Sequence, residues 1–257
     1  MSILDINMKP KISIITITFD DGPRLEATIS SVLGQTYKNI EYIIIDGGSS
    51  DNSVDIIKLY EDRLSFWITE KDDGIYDAMN KGILQATGSF VNFMNSGDEF
   101  HSKESLTDLF NCIDLKGVLN ADIIYGNHAV KSVSGLKIMR PKALPNINRG
   151  SLFCHQSAFI ATKFHKTSLY NIHNPIAADF EFFYLAYLDN RVFKHVDQTI
   201  CIITPGGISD TNRIETIVSW WNVVNKTRSS NVYFIRRIIR EMAVGYVKKI
   251  INSFKCF

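Results

Sequence analysis

Apolar and polar positions alternate along the first hundred residues in two different periods. Lys11–Thr18 (KISIITIT) is β-branched or apolar at nearly every position, which predicts a strand covered on both faces. After Pro23, Leu25, Ile29, Val32 and Leu33 recur at helical spacing, predicting a helix over Leu25–Gln35. Ile40–Ile45 is a second strand that runs into Asp46-Gly47-Gly48-Ser49-Ser50-Asp51, a cluster of turn formers in which Ser50 or Asp51 is placed to cap a helix from Ser53. Ser65–Thr69, Ile75–Ala86 and Phe90–Met94 then read as strand, helix and strand, ending at Asn95-Ser96-Gly97-Asp98.

This rhythm predicts an α/β fold with a mostly parallel sheet flanked by helices. Ligands of such sheets bind beyond the carboxyl ends of the strands. Asp20-Asp21, Asp46, Lys71-Asp72-Asp73 and Asp98 each follow an apolar strand, so the pattern brings them to one edge. Taken singly, an Asp after a strand is usually a turn or cap residue; four such clusters at one edge make a candidate site.

The second half is less regular. Ile123–Tyr125, Val130–Met139 and Arg191–Ile203 read as strands, Ala177–Leu188 as an aromatic-rich helix, and Glu215 to the end as helix. A break is expected near Thr227–Asn231, dividing a domain over residues 1–228 from a helical tail over 229–257. On a helix, Ile235, Ile238, Ile239, Met242, Tyr246 and Ile250 share one stripe, with Arg236, Arg237, Arg240 and Lys248 opposite and Lys249 near the stripe's edge. Packing on the domain and lying on an anionic membrane surface both suit that pattern.

Composition narrows the classes. The 257 residues are 45% hydrophobic, 21% charged and 11% aromatic, which excludes a disordered chain. A net charge of +1 excludes a dedicated nucleic-acid binder. The charge is uneven, however: from Pro205 onward nine Lys and Arg face three acids. No apolar run reaches the roughly eighteen residues a membrane span needs, and Met1–Lys11 lacks an apolar leader core. Cys112, Cys154, Cys201 and Cys256 are scattered, as expected of reduced thiols in a cytoplasmic protein.

The turn after the first strand, Phe19-Asp20-Asp21-Gly22-Pro23-Arg24, has neither a glycine-rich dinucleotide fingerprint nor a phosphate-loop lysine. Thr18–Pro23 resembles the first motif of polysaccharide deacetylases. Their metal shell needs paired histidines, and no two of His101, His128, His155, His165, His173 and His195 lie three or four apart.

A longer resemblance is to the family 2 glycosyltransferases of the GT-A (Rossmann-like) fold. It is carried by ITITF, ISSVLGQTYKNIEYIIIDGGSSDNS, EKDDGIYDAMNKGILQATG and FMNSGDEF, in matching order and spacing. It continues sparsely through His155-Gln156, Ala178-Asp179-Phe180-Glu181 and Gly206-Gly207-Ile208-Ser209. The resemblance implies a nucleotide-binding half over about residues 9–100 and an acceptor half over about 101–228. It implies inverting transfer from a nucleotide-diphosphate sugar, a UDP-sugar by expectation, to a hydroxyl of a glycan or lipid-linked acceptor, in the building of bacterial cell-surface polysaccharide. The setting it implies is cytoplasmic, peripheral at the inner face of the plasma membrane.

By the same resemblance, Thr18 and Phe19 line the base pocket and Asp46 bonds the base. Asp20, Lys71, Asp72, Gly74, Asn80 and Ser96 complete the nucleotide-sugar site. Asp98 holds a divalent metal, Mg²⁺ or Mn²⁺, which offsets the charge gathered on the leaving diphosphate. Asp179 is the general base, with Glu181 its rival and a plain dipole-complementing helix acid the alternative. His155 and Gln156 belong to the donor-sugar or acceptor side, unless His155 is a core histidine. Trp220-Trp221 could stack on sugar or pack in the core. Two departures stand out: Asn95-Ser96-Gly97-Asp98 offers one carboxylate, with Glu99 adjacent, where many members have Asp-x-Asp, and Asp20 stands where Asn is familiar. They leave room for a degenerate relative that binds nucleotide-sugar without turnover.

Overall fold

The central strand β1 (Ile12–Thr18) is buried along its whole length, between parallel neighbours β2 (Ile40–Asp46) and β4 (Phe90–Phe93), with β3 (Phe66–Thr69) outside β2. These features come from a computed structural model of the chain, which describes residues 9–112, 120–132, 135–207 and 211–254, without the side chains of Cys112 and 247–254. Alternation divides β1 between two cores. Ile12 and Ile14 face the layer holding helices α1 (Gly22–Leu33) and α2 (Ser53–Leu59), while Ile15 and Ile17 face α3 (Ile75–Gln85). The polar residues in this run are paired: Ser13 Oγ donates to Glu41 at 2.5 Å and Thr16 Oγ1 to the Met94 carbonyl at 2.7 Å. Asp51 accepts from the Ser53 amide at 2.9 Å, although Asn52 occupies the cap position of α2.

Beyond β4 the same sheet continues in mixed direction. Its order is β3-β2-β1-β4-β8-β6-β9-β5, with β7 (Gly135–Met139) on β6 (Ile123–Ser132). Strand β8 (Ala158–Ala161) runs antiparallel to both β4 and β6, β5 (Glu99–Phe100) antiparallel to β9 (Phe193–Ile203), and β6 parallel to β9. The parallel arrangement therefore holds through the first four strands. The pattern splits 123–139 into two strands separated at Gly126–Ala129; the structure has one ten-residue strand followed by a hairpin.

Helices α4 (Ser105–Cys112), α5 (Thr162–Thr167) and α6 (Ala178–Leu188) cover the second half. The helical C-terminal region breaks after Val223 into α7 (Arg213–Val223) and α8 (Arg228–Phe254). Ser230 secures the turn, accepting from the Thr227 amide and donating to the Asn225 carbonyl, each at 2.9 Å. Helix α8 docks through Phe234, which is fully buried, and Ile238, which is partly covered.

Candidate active site

The carboxyl ends of β1, β2, β3 and β4 lie side by side, and two zones form there. The first surrounds Gly47. A Cβ on that residue would lie 2.5 Å from Asp72 Oδ2 and 3.3 Å from the Phe19 ring, so a larger residue would displace the Asp72 carboxylate. Phe19 is 63% exposed and Thr18 Oγ1 is buried without a partner, leaving an open ring beside an unused hydroxyl. Lys71 is exposed, and Asp72 accepts from the Gly74 amide at 2.9 Å, setting the positive φ of 110° that starts α3.

Three residues assigned to the nucleotide by resemblance are engaged within the protein. Asp46 is fully buried, accepting from the Ser49 amide at 3.0 Å and from the Thr69 and Ser49 hydroxyls at 2.5 Å each. Through these bonds it pins the loop after β2. Asp20 sits at φ 47° and accepts from the Ser50 amide at 2.7 Å, tying the loop after β1 to the same segment. Asn80 bonds the Tyr170 backbone through both ends of its amide, at 2.9 Å each, and ties α3 to the segment around Tyr170.

The second zone is a pocket of about 380 Å³ that brings together Ser96, Asp98, His155, Gln156 and Asp179. Asp98 is 7% exposed; it accepts from Gln156 Nε2 at 2.7 Å and from the Thr204 amide at 3.2 Å. Burial raises its pKa, against those two bonds and the nearby charges of His155 and Arg24. Asp179 lies in the first turn of α6, where the helix dipole favours a carboxylate. Tyr76 OH donates to its Oδ1 at 2.8 Å, and His155 Nδ1 stands 3.4 Å from Oδ2. Burial opposes ionisation of this pair. The mutual charge and bonding prevail, so the Asp179 pKa is lowered and that of His155 raised. Asn95 completes the chain at 3.2 Å from His155 Nε2. As oriented, its Oδ1 is buried without a partner; the flipped amide would accept from a protonated ring. Glu181 is turned away, held by Asn171 and Asn174 at 3.1 Å and 2.8 Å, and does not line the pocket.

Three pocket residues escaped the sequence reading or stayed ambiguous in it. Arg24 lines the pocket from the first turn of α1 and bonds Asp21 at 2.6 Å. A cation there works against the helix dipole, and that misfit is the signal that could have flagged it. Tyr76 carries no such signal, because its partner lies 103 positions away. Trp220 serves both alternatives: it lines the pocket and packs on Phe180, ring centroids 5.8 Å apart. Of the segment Gly206-Gly207-Ile208-Ser209, the two glycines line the pocket and Ile208 and Ser209 lie outside the described residues.

The family model "Glycosyl transferase family 2" matches residues 13–187. An uncharacterised glycosyltransferase of Mycobacterium tuberculosis is 33% identical over 182 residues, covering 70% of each chain. A PGL/p-HBAD biosynthesis glycosyltransferase of Mycobacterium bovis is 28% identical over 180 residues, covering 67% of this chain and 68% of the relative. Among solved structures, S. aureus TarS 1–349 in complex with UDP-GlcNAc superposes with a TM-score of 0.64 at 19% identity, over 89% of this chain and 71% of that one. The mannosyltransferase PcManGT from Pyrobaculum calidifontis, in complex with GDP-Man and Mn²⁺, gives 0.63 at 13% identity, over 90% and 70%. The sheet and its flanking helices are thus the GT-A fold, and the chain belongs to glycosyltransferase family 2.

Proposed function

We propose that the pocket transfers a sugar, with inversion, from a nucleotide-diphosphate sugar to a hydroxyl of a glycan or lipid-linked acceptor. The observation that carries this is the anchored Asp179 carboxylate sharing one pocket with Asp98. Asp179 takes the acceptor proton as the hydroxyl oxygen attacks the anomeric carbon, and the bond to the diphosphate breaks with its electron pair on the leaving oxygen. His155 and Tyr76 hold the carboxylate ionised and oriented until then. Arg24 faces the charge that accumulates on the diphosphate. Phe19, Thr18 and Asp72 border the nucleoside. The nucleotide-sugars in the two solved neighbours support such a donor, and a UDP-sugar follows the TarS complex. A place in cell-surface polysaccharide assembly rests on the sequence resemblance.

A divalent cation fits the donor set. Asp98 and the unpartnered, buried Ser96 Oγ are oxygen ligands of the kind Mg²⁺ and Mn²⁺ prefer. Among the described residues no three His, Cys, Asp or Glu side chains form a cage, so diphosphate oxygens and water would complete the shell. When bound, the cation would stabilise the leaving diphosphate. The Mn²⁺ in the PcManGT complex supports this reading.

The C-terminal helix supports peripheral attachment at the inner face of the plasma membrane. Ile235, Ile239, Met242 and Tyr246 are 45%, 61%, 59% and 68% exposed, while Phe234, on the face flanking that stripe, is fully buried. Lys248, Lys249 and Ile250 lie beyond the described side chains. Among the described residues no helix is long and apolar enough to cross a membrane.

The test of transfer is release of nucleoside diphosphate from a panel of UDP-, GDP- and dTDP-sugars by wild type and Asp179→Asn. The variant should keep donor affinity and lose kcat by about a hundredfold or more. Donor binding without release in the wild type would make the chain a nucleotide-sugar-binding relative instead.

A further inference from the structure

A second concavity, a groove of about 900 Å³, lies where α7 and α8 meet the segment bearing Lys142. Its walls carry Lys142, Arg213, Arg228, Arg236, Arg237 and Arg240 against one carboxylate, Glu241. Two of the six cations have structural work. Arg213 pairs with Glu241 at 3.3 Å, and Arg237 donates to the Arg149 carbonyl at 3.2 Å with its guanidinium 4.7 Å from the centre of the Trp220 ring. The side chains of Lys142, Arg228, Arg236 and Arg240 form no hydrogen bond or salt bridge with any described residue. Arg236 and Arg240 stand one turn apart, where like charges repel. Folding thus gathers in one concave place Lys142, Arg228 and Arg236, which have no side-chain partner, and Arg240, whose charge acts on Glu241 without bonding it. A phosphate would bridge them, since guanidinium groups match its oxygens in pairs.

The groove has a shared boundary with the transfer pocket. Trp220 lines that pocket and carries the Arg237 guanidinium. The contact depends on Gly150, at φ 110°: a Cβ there would lie 2.5 Å from the indole and 3.2 Å from Arg237 Nη1. A ligand whose anionic group sits in the groove therefore has a short way past Trp220 to Asp179.

We propose that this groove is a second anion site, which takes the phosphate or diphosphate group of the acceptor while its hydroxyl reaches Asp179. The acceptor role rests on the transfer reading above; the anion binding does not.

The experiment titrates the full chain with inorganic pyrophosphate in EDTA by calorimetry, so that cation-assisted binding beside Asp98 does not contribute. Wild type and Asp98→Ala should bind alike, and Arg228→Gln/Arg236→Gln/Arg240→Gln should bind at least about tenfold more weakly. Matching circular dichroism and melting curves show that the triple variant is folded. A parallel arm measures co-sedimentation with phosphatidylglycerol vesicles. Vesicle binding that falls in the triple variant, with no pyrophosphate binding in the wild type, would assign the groove to bulk headgroups and overturn the proposal. So would pyrophosphate binding that survives the triple substitution or vanishes in Asp98→Ala. If the wild type binds pyrophosphate but releases no nucleoside diphosphate, the transfer reading fails and the anion site stands.

Discussion

The Tyr76 hydroxyl donates to the Asp179 carboxylate at 2.8 Å, joining the first turn of one helix to the first turn of another that lies across the sheet-edge pocket. The bond occupies one oxygen of the carboxylate and leaves the other to His155. It also favours the ionised carboxylate. Tyr76→Phe should therefore raise the Asp179 pKa and move the acidic limb of the kcat–pH profile upward. We expect kcat to fall about tenfold at neutral pH with donor affinity unchanged. An unshifted profile would show that Asp179 is oriented by other means.

His155 offers a stability test with a definite sign. Its folded pKa is raised, so its contribution is complete below the ordinary value of 6.5 and is lost as pH rises through the folded value. Asp179 behaves oppositely: its contribution holds above 3.8 and disappears as pH falls through its lowered value. Melting of the wild type should decline above about pH 6.5 more steeply than melting of His155→Gln, which lacks the titrating ring. Parallel curves would mean that the ring is neutral throughout.

Glu41 gives the acid counterpart, far from the pocket. Burial disfavours its charge, yet bonds from Lys11, Ser13 and Thr87 lower its pKa to about 2. The stabilisation is present above the ordinary value of 4.5 and is lost as pH falls towards 2. Glu41→Gln should cost about 2–3 kcal/mol at neutral pH and flatten the acid limb of a denaturation series. Equal sensitivity to acid in both proteins would remove Glu41 as the cause.

The exposed stripe of α8 predicts salt-sensitive binding to anionic vesicles and little to neutral ones. Ile239→Ser/Met242→Ser/Tyr246→Ser leaves Phe234 and the docked face intact. It should weaken partitioning at least about tenfold without changing the melting temperature. Unchanged partitioning would place the helix's contacts elsewhere.

The strands and helices of the first hundred residues were legible because each is apolar at its own period and ends in turn formers. Strand β6 was not. Gly126, Asn127 and His128 interrupt the apolar run, but Asn127 donates to Asp197 at 2.9 Å, and the pairing with β9 shifts register at that place. A Cβ on Gly126 would lie 2.6 Å from the Gln198 carbonyl. Polar residues paired across a sheet, as Asn127 Nδ2 is with Asp197, look like a loop when read alone. Periodicity likewise found the stripe of α8 but not its anchor, Phe234, because a single buried ring has no period. The acids at the sheet edge could be located, yet the division between Asp46, consumed by its own loop, and Asp98 and Asp179, gathered into one pocket, depends on partners distant in sequence.

The knot around Asp46 has a consequence for how a ligand is received. With that carboxylate satisfied by Ser49 and Thr69, and Asp20 stapled to Ser50, the loops after β1 and β2 are held together by the protein's own hydrogen bonds. A ligand arriving there need not freeze a floppy loop, so little of its binding energy is consumed by ordering this side of the cleft. Selectivity at that edge would then rest on the fit to loops already in place more than on their rearrangement.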